Sequence, residues 1–230
     1  MRNANRRRNK LDDSGMNKHT AQLGFYASLV AFAAAFGYSL VQILQIVGVA
    51  KFPLDAILIY GFSLFIATPY VLAILALHYI VPSEKKLWSH AALLFAVIYT
   101  VYVTLNYVVQ LATVLPMKLQ GTLGEFRVLD QTPHSLFWDV DALGYIYLGF
   151  STLFASFVFE RRKGEKWLKW ILLGNGLMNP VIAFVYFYPQ FSYGLLLIAF
   201  PWVITSTGSL LLLTLYFRTL PHGEPEKRAG

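Results

Sequence analysis

Residues 55–80 read DAILIYGFSLFIATPYVLAILALHYI, and the only Asp, Glu, Lys or Arg among them is Asp55, at the first position. As a helix this run is about 39 Å long, against a bilayer hydrocarbon core of about 30 Å. A stretch so long and so free of charge is a membrane span, and its flanks fit that reading. On one side Lys51-Phe52-Pro53 makes a short turn. On the other, Val81-Pro82-Ser83-Glu84-Lys85-Lys86 stops the helix at Pro82 and supplies charge.

Working outward, five more apolar runs follow the same rule. The six spans are placed at 21–49, 55–80, 89–115, 136–159, 167–188 and 193–217. The chain is 57% hydrophobic and 13% charged, whereas soluble domains carry about 25% charged residues. The expected fold is therefore all-α, a polytopic membrane protein with six transmembrane helices in one bundle. Residues 20–218 form that domain. The basic segment 1–19 and the segment 219–230 read as disordered cytoplasmic tails. Span 1 follows a basic segment, but its apolar stretch is far longer than the h-region of a cleaved signal peptide, so it reads as a retained helix. Met16 offers a second start.

The distribution of Lys and Arg orients the bundle. One side carries Arg2, Arg6, Arg7, Arg8, Lys10, Lys18, Lys85, Lys86, Arg161, Arg162, Lys163, Lys166, Lys169, Arg218, Lys227 and Arg228; the other carries Lys51, Lys118 and Arg127. Sixteen against three places both termini in the cytoplasm, N-in and C-in, by the positive-inside rule. The net charge of +7 is thus confined mostly to one membrane face. It suits anionic lipids at the cytoplasmic surface rather than a nucleic acid. A plasma membrane or bacterial inner membrane follows. Oligomeric state is not legible.

Polar residues within spans are costly in a bilayer unless paired or hydrated, which makes them informative. Span 1 carries Ser28, Ala31, Ala35, Tyr38, Gln42 and Gln45 at helical spacing. Span 3 carries Tyr99, Tyr102, Asn106, Gln110 and Thr113. Span 5 carries Asn175 and Asn179, and span 6 carries Thr205 and Ser209. Span 4 has two acids, Asp139 and Asp141, separated by about 200° around a helix. Asp141 aligns with Gly144, Tyr145, Ser151, Thr152 and Ala155; Asp139 aligns with Leu143, Ile146, Phe150, Leu153 and Phe157. Asp141 is therefore the acid expected to face the bundle.

These groups collect into one expected site. An outward-facing polar cavity would use Asp141 near its mouth, Asn106, Gln110, Gln42, Gln45, Asn175 and Asn179 as hydrogen-bonding groups, and Tyr38 and Tyr102 as walls. Asp141 would accept a proton or pair with a cationic group. The competing account is that the amides simply bond helix to helix. Span 5 reads Gly174-Asn175-Gly176-Leu177-Met178-Asn179-Pro180. That stretch is either a plain proline kink or a broken helix of the kind that lines transporter sites. Residues 116–135 are the one long connection, either a connector or a lid over the pocket.

Other chemistry finds little support. There is no cysteine, which removes disulfides, thiolate catalysis and Cys-based metal sites. His78 and His90 flank one short loop, but no two histidines share a span and no H-E-x-x-H motif occurs. No metal and no cofactor are expected. Nucleophile-elbow and phosphate-loop motifs are missing. Spans 1–3 and 4–6 show no internal repeat beyond Leu23-Gly24-Phe25 and Leu143-Gly144-Tyr145. Trp88, Trp138, Trp167 and Trp202, with Tyr188 and Tyr193, sit mostly at span ends as an interfacial belt would.

The functional expectation is a multi-pass membrane protein, more in keeping with a non-enzyme, that binds or transports a small, partly apolar ligand or lipid. Two alternatives belong to other classes. One is an intramembrane hydrolase or transferase using His134 and an Asp, which requires the two within hydrogen-bond reach. The other is a structural subunit of a membrane complex, whose polar stripes would face outwards.

Overall fold

The computed structural model describes residues 2–160 and 164–220, with side chains described from Lys18 onwards except Tyr193. The expected tail at 221–230, Arg161, Arg162 and Lys163, and the basic side chains before Lys18 lie outside the described residues. Among the described residues the chain is all-helical. The helices are α1 Arg2–Ile46, α2 Leu54–Ile80, α3 Lys86–Val109, α4 Leu115–Gln120, α5 Leu136–Ser156, α6 Lys166–Leu177, α7 Asn179–Phe187, α8 Tyr193–Ile198 and α9 Phe200–Thr219. The backbone of α1 is thus helical from Arg2, well before the span.

Five stretches are long and apolar enough to cross a membrane: Lys18–Ile46, Leu54–Ile80, Ser83–Gln120, Lys166–Phe187 and Phe200–Thr219. This is the composition of a helical membrane protein. Besides the short α8, the helix outside these stretches is α5, which is 21 residues long, about 30 Å and sufficient for the same length, but more polar. It carries Asp139, Asp141, Ser151 and Thr152. Its surroundings explain the difference. Twelve of the 21 residues of α5 are buried, against eight of 27 in α2. Protein covers more of α5 than of α2, and Asp141, Ser151 and Thr152 find partners there, while Asp139 is exposed.

The helices form a ring in chain order. α1 packs on α2, α2 on α3, α3 on α5, α5 on α6, α6 on α9, and α9 closes back on α1. Small residues let the helices approach closely, as in other membrane bundles. A Cβ at Gly24 would lie 2.2 Å from the Phe217 ring, so the glycine lets that ring of α9 lie directly on the α1 backbone. A Cβ at Gly176 would lie 2.9 Å from the Gly149 carbonyl oxygen, which brings the α6 and α5 backbones together. Hydroxyls bridge other seams: Ser151 Oγ donates to the Ala92 carbonyl at 2.8 Å and receives the Tyr70 hydroxyl at 2.7 Å.

Three boundaries depart from the sequence reading. Span 3 does not run as one regular helix to residue 115. A wide turn of π geometry at Gln110–Val114 leads into α4. The extra residue in that turn shifts the helical phase, so Val114 and Leu115 are buried and Thr113 is exposed. Span 6 does not start at 193. The chain turns at Ala199 between α8 and α9, and Pro201 takes the first turn of α9, where its missing N–H costs nothing. Span 5 is interrupted at Met178, one residue before Asn179-Pro180.

Charge sits where helix ends can use it. Lys86 Nζ donates to the His78 carbonyl and, at 3.3 Å, to the Tyr79 carbonyl, covering acceptors left open at the C-terminus of α2.

Candidate functional site: a buried carboxylate network beside a central cavity

Asp141 lies in the second turn of α5, which opens on an N-cap: the Ser135 hydroxyl accepts from the Trp138 N–H at 3.2 Å. Asp141 is 1% exposed while Asp139 is exposed, the opposite faces that their angular separation requires. Two neighbouring elements, α3 and α7, converge on its carboxylate. From α3, Asn106 Nδ2 donates to Oδ1 at 3.0 Å and the Tyr107 hydroxyl donates to Oδ1 at 2.8 Å. From α7, the Tyr186 hydroxyl donates to Oδ2 at 3.0 Å. Within α5, the Tyr145 hydroxyl is 2.9 Å from that of Tyr107. Among the described residues no Lys, Arg or His joins this set. The only ion pair among the described residues is Lys118–Asp130 at 2.7 Å.

The connection at residues 116–135 closes one end of this network. Gln110, fully buried at the start of the π turn, donates through Nε2 to the Leu129 carbonyl at 2.8 Å and accepts the Gln131 N–H at 3.2 Å. Asn106 Nδ2 also reaches Gln131 Oε1 at 3.0 Å. That amide orientation is dictated by its partners, because both are acceptors. Asn106 Oδ1 is left buried without a partner. The segment is therefore a bonded cap, and the expected open mouth at Asp141 is covered.

The cavity lies on the other side of the tyrosines, with a volume of about 40 Å³. Every helix of the ring contributes wall: Tyr38 from α1, Tyr70 from α2, Tyr107 from α3, Tyr145 from α5, Asn175 from α6 and Trp202 from α9. Trp202 Nε1 is buried with no acceptor among the described residues, and its ring lies 4.5 Å from that of Tyr145. Asn175 has both ends occupied: Nδ2 donates to Thr152 Oγ1 at 3.0 Å and Oδ1 accepts from Thr205 Oγ1 at 3.1 Å.

The expected site residues thus fall into separate places. Asp141 and Asn106 share the carboxylate network. Tyr38 and Asn175 line the cavity. Gln110 holds the cap. Asn179 turns towards α5, where Nδ2 donates to the Ile146 carbonyl at 3.0 Å. Gln42 and Gln45 form a different chain: Gln42 Nε2 donates to Gln45 Oε1 at 2.9 Å, and Gln45 Nε2 donates to Asp55 Oδ2 at 2.8 Å, tying α1 to the first turn of α2. Tyr102 stacks on Tyr147, ring centroids 5.5 Å apart, on the outer face of the α3–α5 seam.

Several participants were not singled out in the sequence. Tyr107 follows Asn106 directly, and a stripe at three- and four-residue steps skips such neighbours. Tyr186 lies in the span 5 continuation. Trp138 and Trp202 read as interfacial but are buried, Trp138 against Tyr186 at 4.4 Å and Trp202 against Tyr145. Trp167, by contrast, is exposed at the start of α6.

The two other chemistries can be placed as well. His134 is exposed and adopts a positive φ of 65°. Among the described residues it makes no hydrogen bond or ion pair with an acid, so the pairing that a hydrolase would need is not formed. His78 and His90 stand edge to face at 5.5 Å, with His78 Nδ1 on Ser89 Oγ at 2.9 Å. No group of three or more His, Asp or Glu side chains gathers among the described residues. Much of the α1 and α3 stripes is enclosed, with Ser28, Ala31, Ala35, Tyr99, Asn106 and Gln110 buried, while Tyr102 is half-buried and Thr113 exposed.

No family model, curated protein or solved structure matches this chain.

Proposed function

We propose that this chain is a six-span protein of a plasma or bacterial inner membrane, N-in and C-in, that binds or moves a small, partly apolar solute through its central cavity. The observation that carries this reading is the cavity itself, walled by all six helices of the ring and holding an indole N–H without an acceptor. Orientation rests on the sixteen-to-three distribution of Lys and Arg, and anionic lipids are the partners that this face suits. The sixth span is α5, whose polarity is accounted for by its burial.

The chemistry of the walls selects the solute. A water molecule needs about 10–15 Å³ of such space, so the cavity accommodates about three waters, or a solute of similar size. Longer molecules require the helices to part. Ala35, Ile66, Leu148 and Leu172 supply apolar wall; Tyr38, Tyr145 and Trp202 supply polar tips. Asp141 stands behind Tyr107 and Tyr145 and does not line the space. A neutral molecule bearing a hydrogen-bond acceptor therefore fits better than the cation that the sequence suggested.

The test is thermal stabilisation of the detergent-purified protein by a panel of small neutral acceptors, such as acetone and acetamide. Stabilisation of the wild type is expected, together with its loss in Ala35→Phe, which fills the cavity. No stabilisation by any member of the panel, with Ala35→Phe more stable than wild type, would mean that the space is only a packing void.

A further inference from the structure

Asp141 is the most buried acid among the described residues, yet every donor that reaches it is neutral. An ionised carboxylate can only accept hydrogen bonds. The Tyr107 proton is therefore committed to Oδ1, and the 2.9 Å contact between the two phenols must be donated by Tyr145. The Tyr145 oxygen is then left as an acceptor in the cavity wall. A proton bound at Asp141 reverses this chain. The carboxylic acid donates to Tyr107, Tyr107 donates to Tyr145, and Tyr145 donates into the cavity. Two hydroxyl rotations, with no helix movement, convert an acceptor into a donor beside the indole N–H of Trp202.

We propose that Asp141 is a proton-binding site served from the central cavity through Tyr145 and Tyr107, and that its protonation is linked to the binding of acceptor solutes in that cavity. A hydronium in the cavity passes a proton to the Tyr145 oxygen. Tyr145 passes its own proton to Tyr107, and Tyr107 passes its own to Asp141 Oδ1. Water remains in the cavity, both phenols stay neutral, and the acid is neutral. On the opposite side Asn106 and Gln131 continue the network through amides, which hold their protons, and the Tyr186 hydroxyl on Oδ2 bonds no second hydroxyl among the described residues, so the continuous hydroxyl route leads to the cavity.

The ionisable neighbours on each packed element are few. They are Tyr38 on α1, Tyr60 on α2 (stacked on Tyr107 at 5.6 Å) with Asp55 beyond it, Tyr99 on α3, Tyr186 on α7, and Asp130 in the cap, already paired with Lys118. α9 presents Trp202, which does not titrate.

The site is tested on the full chain reconstituted in lipid, by infrared difference spectroscopy of the carboxylic C=O stretch as pH is stepped. A titrating band is expected in the wild type and absent from Asp141→Asn. After a pH jump, Tyr145→Phe keeps the ring, removes the relay, and should slow the response by about a hundredfold. Should Asp141→Asn fail to fold, Tyr107→Phe serves instead: losing the direct hydrogen bond should shift the band itself. A wild type with no titrating band would show that Asp141 is only a structural hub, and a response unchanged in both Tyr→Phe variants would overturn the tyrosine route.

The linkage rests on the cavity reading above and is tested separately. Calorimetric titration with acetone in two buffers of different ionisation heat should show a proton taken up with each acetone bound. Acetone binding without proton uptake would overturn the linkage alone. A titrating band without acetone binding would overturn the linkage and the cavity reading, and would leave the proton site standing.

Discussion

Asn179 occupies the space that a side chain at Gly149 would need: a Cβ built there would lie 1.7 Å from Asn179 Oδ1. The two residues belong to the helices on either side of the α5–α7 contact, and the same amide donates through Nδ2 to the Ile146 carbonyl. Glycine at 149 is thus what allows the interrupted span to bring Asn179 against α5. Gly149→Ala should force the amide out, lose that hydrogen bond, and destabilise the protein by about 2–3 kcal/mol. Asn179→Ala removes the obstructing atoms, so the double variant should recover most of the loss beyond the cost of Asn179→Ala itself. A double-mutant cycle from thermal denaturation in detergent reads this; additive costs would show that the contact is not the cause.

Two glycines in one helix should behave oppositely. A Cβ at Gly176 meets the Gly149 carbonyl oxygen and Leu153 Cα at 2.9 Å, and backbone atoms have no rotamer by which to withdraw. A Cβ at Gly174 meets only Thr205 Cγ2 at 3.8 Å, an ordinary contact. Gly176→Ala should push α6 from α5 and cost about 1–3 kcal/mol by overpacking. Gly174→Ala should stabilise by up to about 1 kcal/mol, the helix-propensity difference. Denaturation midpoints of the two variants moving in the same direction would contradict this account.

Gln110 holds the 116–135 segment from within a span. Its side chain bonds both the Leu129 carbonyl and the Gln131 N–H, and Gln131 in turn meets Asn106 of the carboxylate network. Gln110→Ala leaves two backbone groups of the cap without partners, at about 1–3 kcal/mol each if they stay buried. The cap should instead open locally. Hydrogen exchange is expected to accelerate at residues 129–132 while the amides of α5 keep their protection. Uniform loss of protection across the bundle would mean that the cap is not a separable unit.

How far the sequence could be read depended on what each signal encodes. Hydrophobic length located the helices, and the 100° step per residue put Asp141 inside and Asp139 outside. The same arithmetic failed on α3, because that helix packs against both α2 and α5 and buries a face too wide for a single stripe. Asn106 and Tyr107 are consecutive and both buried, while Tyr102 slips outwards. The π turn at Gln110–Val114 left no periodic trace and displaced Thr113. Trp138 and Trp202 were placed by their position near span ends, yet burial is decided by which rings they meet. Polar residues that recur at helical spacing in several spans do not thereby share one site. Gln42 and Gln45 bond to Asp55, a partner that only the α1–α2 turn brings near.

The number of spans turns on α5, and the absence of cysteine makes it directly measurable. Single cysteines introduced at exposed connections can be labelled without background, since the chain has none. Three positions decide the matter: Glu84 between α2 and α3, Thr122 between α4 and α5, and Gly164 between α5 and α6, all exposed. If α5 crosses the membrane, a membrane-impermeant maleimide should label Thr122→Cys on intact cells and reach Glu84→Cys and Gly164→Cys only after permeabilisation. That pattern puts Lys85 and Lys86 on the cytoplasmic side with the basic 160–169 connection, as the positive-inside rule requires. If α5 does not cross, Thr122 and Gly164 share a side and label together. The ring would then be a five-span bundle with an embedded sixth helix, and the carboxylate network would lie in a re-entrant segment that is buried in protein at membrane depth.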